Sequence, residues 1–388
     1  MKFLHTADWQ LGKPFARISD PDKAAKVRNE RVEAIHRIGE LVDQHDADFV
    51  VVAGDLFDSP TPEKSIVSAA CSAIGKLTVP VYAIPGNHDF GGPGGLWNQA
   101  FFRQEQENLA PNFRILLEKS PVAEDHFTLL PCPLLRQHES EDPTRWIRDF
   151  DFSSIDPDKP RIVLAHGSVH GFEASSGVDD DLDEPGSANL LNLDRLPRDE
   201  IDYIALGDWH GMKEVDDDAW YSGTPEIDRF PRGEQNQPGH TLLVEAKRKT
   251  TPKVEPVRTG RLGWHVINFS FASDEDVERL KELLKERFQS RTGEDLLRLS
   301  LGGSLSLEAA SRIEEEMTTL EARLLRLRRK FEFRIDPSEE EITSLAERAE
   351  DPLLSQVAQG LFASAQGSGE ESEIARIALR ELYSAVTP

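Results

Sequence analysis

Between Met1 and about Gly260, short apolar runs rich in β-branched residues recur along the chain, at residues 48–53, 79–85, 161–165 and 201–206. Each closes on a polar cluster. That pattern predicts strands buried on both faces, with carboxyl ends opening into loops that carry function. Residues 23–44 follow a different rhythm: Val27, Ala34, Ile35, Ile38, Leu41 and Val42 recur at helical spacing and predict an amphipathic helix laid over a sheet. The alternation of strand and helix predicts an α/β domain over residues 1–260.

After Gly260 the pattern changes. Ile267, Phe269 and Phe271 alternate as in a strand, and a helix capped by Ser273 follows, with Val277, Leu280, Leu283, Leu284 and Phe288 as its buried stripe. A strand through Leu297, Leu299 and Leu301, a helix from about Leu307 to Lys330, and a strand through Phe331, Phe333 and Ile335 complete a βαβαβ order. This predicts a separate small α/β domain over residues 261–335. Asp336-Pro337 breaks the chain, and residues 336–388 read as a tail of two acidic helical stretches joined at Ala365, Gly367, Ser368 and Gly369. The tail is either a docking element or a solvated helix pair.

A chain of 388 residues with 38% hydrophobic content can bury a large core, which excludes disorder throughout. No run reaches about 18 apolar residues, and Met1 to Gln10 lacks the apolar stretch of a signal peptide, so the expectation is a soluble cytoplasmic protein with no membrane partner. Cys71 and Cys132 have no close Cys or His at zinc-ligand spacing, so they read as small buried hydrophobes. A net charge of -25 opposes binding of a polyanion through the overall field. A nucleic-acid substrate would need a local basic strip, a partner, or metal ions that neutralise the site.

The chemistry sits in five clusters, each just past a predicted strand: Asp8 and Gln10; Gly54-Asp55-Leu56-Phe57-Asp58; Gly86-Asn87-His88-Asp89; His166-Gly167; and Gly207-Asp208-Trp209-His210. Singly, a glycine-aspartate pair is a turn and a buried histidine is a hydrogen-bonded core residue. Five ligand-rich strand ends in one domain converge on one edge and outweigh that reading. Phosphodiester hydrolysis needs neutralised nonbridging oxygens, a hydroxide near neutral pH and a stabilised leaving oxygen, which two adjacent metals supply. Asp55 is the natural bridging carboxylate, with Gly54 allowing close backbone approach.

In this order the clusters resemble those of the calcineurin-like metallophosphoesterases. The opening Leu4-His5-Thr6-Ala7-Asp8-Trp9, the 54–58 segment and Tyr221-Ser222-Gly223-Thr224-Pro225-Glu226 are similar to the SbcD-type DNA repair exonucleases. The resemblance implies a four-layer αββα sandwich followed by a small α/β capping domain and a helical tail. It implies Asp8, Gln10, Asp55 and His210 on a first metal, Asp55, Asn87, His166 and Asp208 on a second, and His88 unligated, protonating the departing oxygen. Gln10 and Asp208 stand where the family carries histidine. Both are oxygen donors, so the implied cofactors are two manganese ions, with magnesium possible, rather than zinc.

Lys13 and Arg17 are candidates for binding a substrate phosphate. Trp9 and Trp209 either wall the cleft and stack on a base or pack in the core, and Asp58 and Asp89 orient neighbouring groups. Arg323, Arg326, Arg328, Arg329 and Lys330 crowd the end of the predicted helix, either as a nucleic-acid patch or as cations favoured at a helix C-terminus. His170 has no role. The acidic stretch of Asp179-Asp180-Asp181 and Glu184-Pro185 reads as a gate or partner surface. The expectation is a manganese-dependent DNA nuclease of a prokaryotic cytoplasm, homodimeric, with an SMC-like coiled-coil ATPase docked on the tail. The alternatives are a small-nucleotide phosphodiesterase, favoured by the negative charge, and a catalytically weakened scaffold in which Gln10 and Asp208 record a decayed site.

Overall fold

The computed structural model describes residues 1–169, 189–231, 237–288, 291–335, 352–367 and 369–386. The acidic 179–185 stretch, His170 and Ser368 lie outside them. The chain divides into two compact units, Met1–Leu262 and Gly263–Pro388.

The first unit opens with β1 (Lys2–Thr6), α1 (Pro21–His45), β2 (Phe49–Ala53), α2 (Lys64–Ile74), β3 (Val81–Ile84), α3 (Ala100–Leu109) and β4 (Phe113–Ile115). It continues with β5 (Val122–Ala123), β6 (Thr128–Cys132), α4 (Arg145–Arg148), β7 (Arg161–His166), β8 (Ser168–Val169), β9 (Leu190–Leu191) and β10 (Tyr203–Gly207). The last strands are β11 (Lys213–Asp216), β12 (Ala219–Tyr221), β13 (His240–Lys247) and β14 (Thr250–Arg258).

Two six-stranded sheets result, in the orders β14-β13-β1-β2-β3-β4 and β11-β12-β10-β7-β6-β5. In the first, β1, β2, β3 and β4 run parallel; in the second, β12, β10, β7 and β6 do. All five residues of β2 are buried because alternate side chains enter different cores. Val50 and Val52 pack under Ile35, Ile38 and Ile74 of the helices. Phe49 and Val51 meet Phe3, Tyr82, Leu129, Ile162, Leu164 and Tyr203 between the sheets. Phe49 stacks on Phe127 with ring centroids 3.9 Å apart, while Phe3 meets Tyr203 edge-on at 5.5 Å.

The expected outer helical layer on the second sheet takes a different form among the described residues. Leu130, Val163, Ile204 and Leu206 are covered by Ile147 of the single-turn α4 and by Leu191, Leu193, Leu196 and Ile201 from short 3-10 turns and loops. Cys71 and Cys132 are both buried.

α1 forms because Asp20 caps its start, accepting the amides of Asp22 and Lys23, and Asp46 ends it in the left-handed region at φ 52°. Its buried stripe includes Arg31. The guanidinium donates to the carbonyls of Asp8, Trp9 and Glu226 and to Thr224 Oγ1. Arg31 therefore fixes the loop that follows β1.

The second unit comprises β15 (Gly263–Phe271), α5 (Asp276–Phe288), β16 (Asp295–Leu305), α6 (Leu307–Arg323), β17 (Arg326–Phe331), β18 (Arg334–Ile335), α7 (Pro352–Ala365) and α8 (Glu370–Val386). Its parallel sheet runs β15-β16-β17, with β18 pairing on β16. Leu280, Leu284, Phe288, Ile313, Met317 and Leu320 cover Leu297, Leu299 and Leu301. At the start of α5, the Asp276 carboxylate accepts the amides of Ala272 and Ser273 and thus closes the turn that the sequence assigns to a Ser273 cap. The helix expected to reach Lys330 stops at Arg323. Arg326–Phe331 pairs instead with β16, because Leu327 and Phe331 alternate onto the helix-covered core. The cation cluster thus lies on a strand, and the reading as helix C-terminal charges applies to Arg323 alone. α7 and α8 pack on α6 through Leu307, Ala310, Ala358 and Leu379.

His5 on β1 is fully buried, its Nδ1 2.9 Å from Tyr203 Oη and its Nε2 3.2 Å from the Leu206 carbonyl. Burial lowers its pKa from 6.5 to about 3, so the folded chain refuses a proton that the unfolded chain accepts between those values. Its contribution to stability is complete above pH 6.5 and is lost as pH falls toward 3. A His5→Asn chain is expected to show a shallower fall of unfolding free energy between pH 6.5 and 5, by up to about 1.4 kcal/mol per pH unit. Denaturant unfolding across that range checks it, and parallel slopes for the two chains would refute it.

Candidate metal centre

The carboxyl ends of β1, β2 and β3 in one sheet and of β7 and β10 in the other deliver all the sequence-predicted groups to one edge. Beyond β1 the loop continues to pair with the loop after β2: Asp8 N donates to Gly54 O at 3.1 Å, Gln10 N to Asp55 O at 2.9 Å and Leu11 N to Leu56 O at 2.8 Å. The turn this needs places Asp8, Gln10 and Asp55 at φ 53°, 40° and 53°, and Asp208, just past β10, stands at 104°, a region non-glycine residues occupy sparingly. Gly54, at φ 96°, lies against His166, and a Cβ there would collide with the imidazole.

His166 is the hub. Its Nδ1 is 2.9 Å from the Ala53 carbonyl, and its Nε2 is 2.8 Å from Asn87 Oδ1. The same Nε2 is 3.6 Å from Asp55 Oδ2 and 3.8 Å from Asp208 Oδ1. Asp55 Oδ1 accepts the amide of His88 at 2.9 Å. Both oxygens of Asp8 accept the amide of Asp208, at 3.1 and 3.2 Å, and Ser168 donates to Asp208 Oδ2 at 2.7 Å. One ligand atom each from Asp8, Asp55 and His166 lies within 4.8 Å of the others.

The electrostatics ask for a cation. Burial would lower the pKa of His166, yet Asp55, Asp8 and Asp208 outweigh it and raise it to about 9. Burial, reinforced by Asp55 and Asp208, pushes Asp8 up to about 7, and it raises Asp208 as well. Both nitrogens of His166 face only acceptors, so Nε2 must carry a proton or give it up to a metal ion. The donor set of carboxylate, amide oxygen and imidazole fits a divalent metal ion.

The side of the site that holds Gln10 and His210 is built differently. Lys13 Nζ donates to Gln10 Oε1 at 2.7 Å and to Asp228 Oδ2 at 3.0 Å. Gln10 Nε2 is 3.3 Å from His210 Nε2, and His210 Nδ1 is 2.8 Å from Asp228 Oδ2. Burial alone would raise the carboxyl of Asp228, but Arg229, His210 and Lys13 hold it well below the usual range. Burial, with Arg229, lowers His210 to about 3, so its ring is neutral at neutral pH. Lys13, expected to meet a phosphate, is thus committed to Gln10 and Asp228, and Arg17 is exposed.

His88 Nδ1 is 3.0 Å from the Asp58 carbonyl, which turns Nε2 toward Asp55 Oδ2, 4.0 Å away. Asp89 is buried, accepts the amides of Gly86 and Phe57, and is raised to about 7 by burial and Asp55. Both aspartates hold neighbouring groups in place. Trp9 is a core residue, 1% exposed, with its indole on Thr6 Oγ1. Trp209 is half-buried, with Lys213 over its ring. Sequence reading missed Arg31, Ser168, Asp228 and Arg229. The weak signal available was that Asp228 and Arg229 directly follow the Tyr221–Glu226 segment.

The profile of the calcineurin-like phosphoesterase family matches residues 1–212, more than half of the 388 in the chain. The chain belongs to that family. This phosphoesterase is therefore a metal-dependent hydrolase of phosphoesters, and Asp8, Asp55 and His166 bring their ligand atoms close enough together to share a metal ion. One solved crystal structure is similar over 66% of this chain and 98% of its own, at 15% identity and a TM-score of 0.39; a likeness that slight carries no argument. No helix among the described residues of the phosphoesterase is long and apolar enough to cross a membrane.

Metal binding to the phosphoesterase is expected to release protons, because His166 and Asp8 bind protons up to about pH 9 and about pH 7 in the metal-free chain. Release of roughly one proton at pH 8, rising toward pH 6, and an affinity that strengthens with pH are the expected outcomes. Calorimetric titration with manganese in two buffers of different ionisation enthalpy measures this, and heats independent of the buffer would contradict it.

Proposed function

We propose that the chain is a manganese-dependent DNA nuclease of the SbcD type, hydrolysing phosphodiester bonds at the edge where the two sheets of the first unit meet. The observation that carries this reading is the convergence of Asp55, Asn87, His166 and Asp208 on one point beside a half-buried His88. A divalent ion held there would supply Lewis-acid neutralisation of the phosphate oxygens and acidify water. Asp55 and Asn87 would hold the ion, while the Asp55 carboxylate, accepting the His88 amide, and the Asp58 carbonyl fix the position of the His88 ring. His88 Nε2, in the protonated ring, hands its proton to the departing sugar oxygen.

A DNA substrate accords with the second unit, where Val266, Arg298 and Arg328 align across β15, β16 and β17, and Asn268, Ser300 and Lys330 do the same. Strand alternation sets Arg298, Arg326, Arg328 and Lys330 on the face opposite the helix-covered Leu297, Leu299 and Leu301. Arg298, Arg326 and Arg328 make this face a local basic strip in a chain of charge -25, while Lys330 is paired with Glu332 at 2.8 Å. Exposed Leu353 and Val357 on α7 and Ile374 and Ile377 on α8 leave apolar surface for an SMC-like ATPase partner. Homodimerisation belongs to the same proposal. Residues 352–386 being dispensable for complex formation would reject the docking role.

Purified chain with manganese is expected to cleave DNA, tested on linear, circular and single-stranded forms with bis-nitrophenyl phosphate as control. His88→Ala should lower the rate roughly 10²–10⁴-fold with metal binding retained. Turnover of the small ester or of cyclic nucleotides alone would replace the nuclease reading with a small-nucleotide phosphodiesterase. Silence on every substrate, with and without the ATPase, would favour a scaffold.

A further inference from the structure

The two sides of the metal centre differ in the kind of atom they offer. Around His166 Nε2 stand acceptors only: Asn87 Oδ1 at 2.8 Å, Asp55 Oδ2 at 3.6 Å and Asp208 Oδ1 at 3.8 Å. Such spacings suit neighbouring ligands of one small divalent ion, whose bonds run about 2.0–2.2 Å.

On the side of Gln10 and His210 the available electron pairs are already taken. An ammonium is donor only, so the 2.7 Å contact from Lys13 fixes which end of the Gln10 amide faces it: the oxygen. The Gln10 amino group then faces His210, 3.3 Å from Nε2. An amino group donates at Nε2, and Arg229 Nη2 donates at Nδ1 from 2.6 Å, so whichever ring nitrogen keeps a lone pair already faces a donor, while the Asp228 carboxylate lies 2.8 Å from Nδ1. The lone pair with which His210 would bind a metal is thereby occupied, and so is the oxygen of Gln10. Positive charge is present as well: Lys13 is 3.0 Å from Asp228, Arg229 Nε is 3.1 Å from it, and Arg229 Nη2 is 2.6 Å from His210 Nδ1. A divalent ion entering here would have to displace Lys13 from Gln10 and would meet the field of two cations.

We propose that this chain holds one divalent ion tightly, at Asp55, Asn87, His166 and Asp208, and that the Lys13 ammonium takes the place of a second ion at Gln10 and His210. Asp228 is the positioning residue that anchors Lys13 and orients His210. The proposal rests on the metal-dependent phosphoesterase reading and replaces its pair of ions with one ion and a fixed organic cation. A lysine cation supplies positive charge beside the first ion without acidifying a second water.

The test is a count of ions together with their spectroscopy. Full-length chain is stripped with chelator, loaded with manganese, desalted and analysed for bound metal and by electron paramagnetic resonance. About one ion per chain is expected, with the hyperfine signal of an isolated manganous ion. The Gln10→His/Lys13→Met double variant should bind about two, with the spectrum of an exchange-coupled pair. About two coupled ions in the wild-type chain would overturn the proposal, and so would a folded double variant that still binds one. The wild-type count decides by itself if the double variant does not fold. No retained ion at all would overturn the metal-dependent reading along with this one, which separates the two failures.

Discussion

The contact on which the site depends is that of the His166 ring with the backbone at the end of β2. His166 ends a strand of one sheet, and the Ala53 carbonyl 2.9 Å from its Nδ1 ends a strand of the other. Gly54 permits this approach because any side chain there would strike the ring. Gly86 has the same relation to Asp55, where a Cβ would collide with the carboxylate. The sheets are pressed together by Phe3, Phe49, Phe127 and Tyr203, but it is this polar contact at their shared edge that sets which groups meet. A metal ion held between Asp55 of one sheet and His166 of the other would therefore cross-link the sandwich. Binding free energy at that point is also folding free energy.

The fold holds buried charge in two opposed ways within one edge. Asp8, Asp55 and Asp208 surround a single imidazole and together exceed its charge, which raises Asp8 and His166 and leaves the cluster in want of a cation. Asp228 has the reverse environment, one carboxylate answered by Lys13, Arg229 and the His210 ring. A buried carboxylate without a partner costs several kcal/mol, so the first cluster is tolerated only because the surrounding backbone amides and the backbone clamp of Arg31 hold it in place. The second cluster is internally satisfied. This contrast, rather than the count of ligand-type residues, separates a place that asks for a metal from one that does not.

Much of this was legible in the chain, and what was not has identifiable causes. Strands buried on both faces give uninterrupted apolar runs, so β2, β3, β7 and β10 and the polar residues past them could be placed by eye, and with them Asp8, Asp55, Asn87, His88, His166, Asp208 and His210. Arg31 was invisible because a cation in an amphipathic helix reads as solvated, and only the tertiary position of Trp9 and Thr224 turns it inward. The contacts of Lys13 are hidden for a related reason: its partner Asp228 lies 215 residues away, so a local reading offers the ammonium to a phosphate. Residues 326–330 read as the end of a helix because arginine and lysine favour helices, whereas pairing with β16 and the partial burial of Leu327 and Phe331 decide for strand.

That strand also bears on how a strongly acidic chain could meet a polyanion. Alternation sends Arg329 to the helix-covered side, where Glu314 and Glu321 of α6 take its guanidinium, while Arg326, Arg328 and Lys330 share the other face with Arg298. Arg329 is thus spent on the fold, and Lys330 is paired with Glu332 at 2.8 Å. At physiological ionic strength the Debye length is about 8 Å, shorter than the span of either unit. Distant carboxylates are screened before they can cancel a cluster of arginines set one strand spacing apart, about 4.8 Å. The net charge of -25 therefore governs long-range approach and its salt dependence, whereas the sheet face governs what happens on contact. A phosphate backbone and this chain would associate slowly and only at short range.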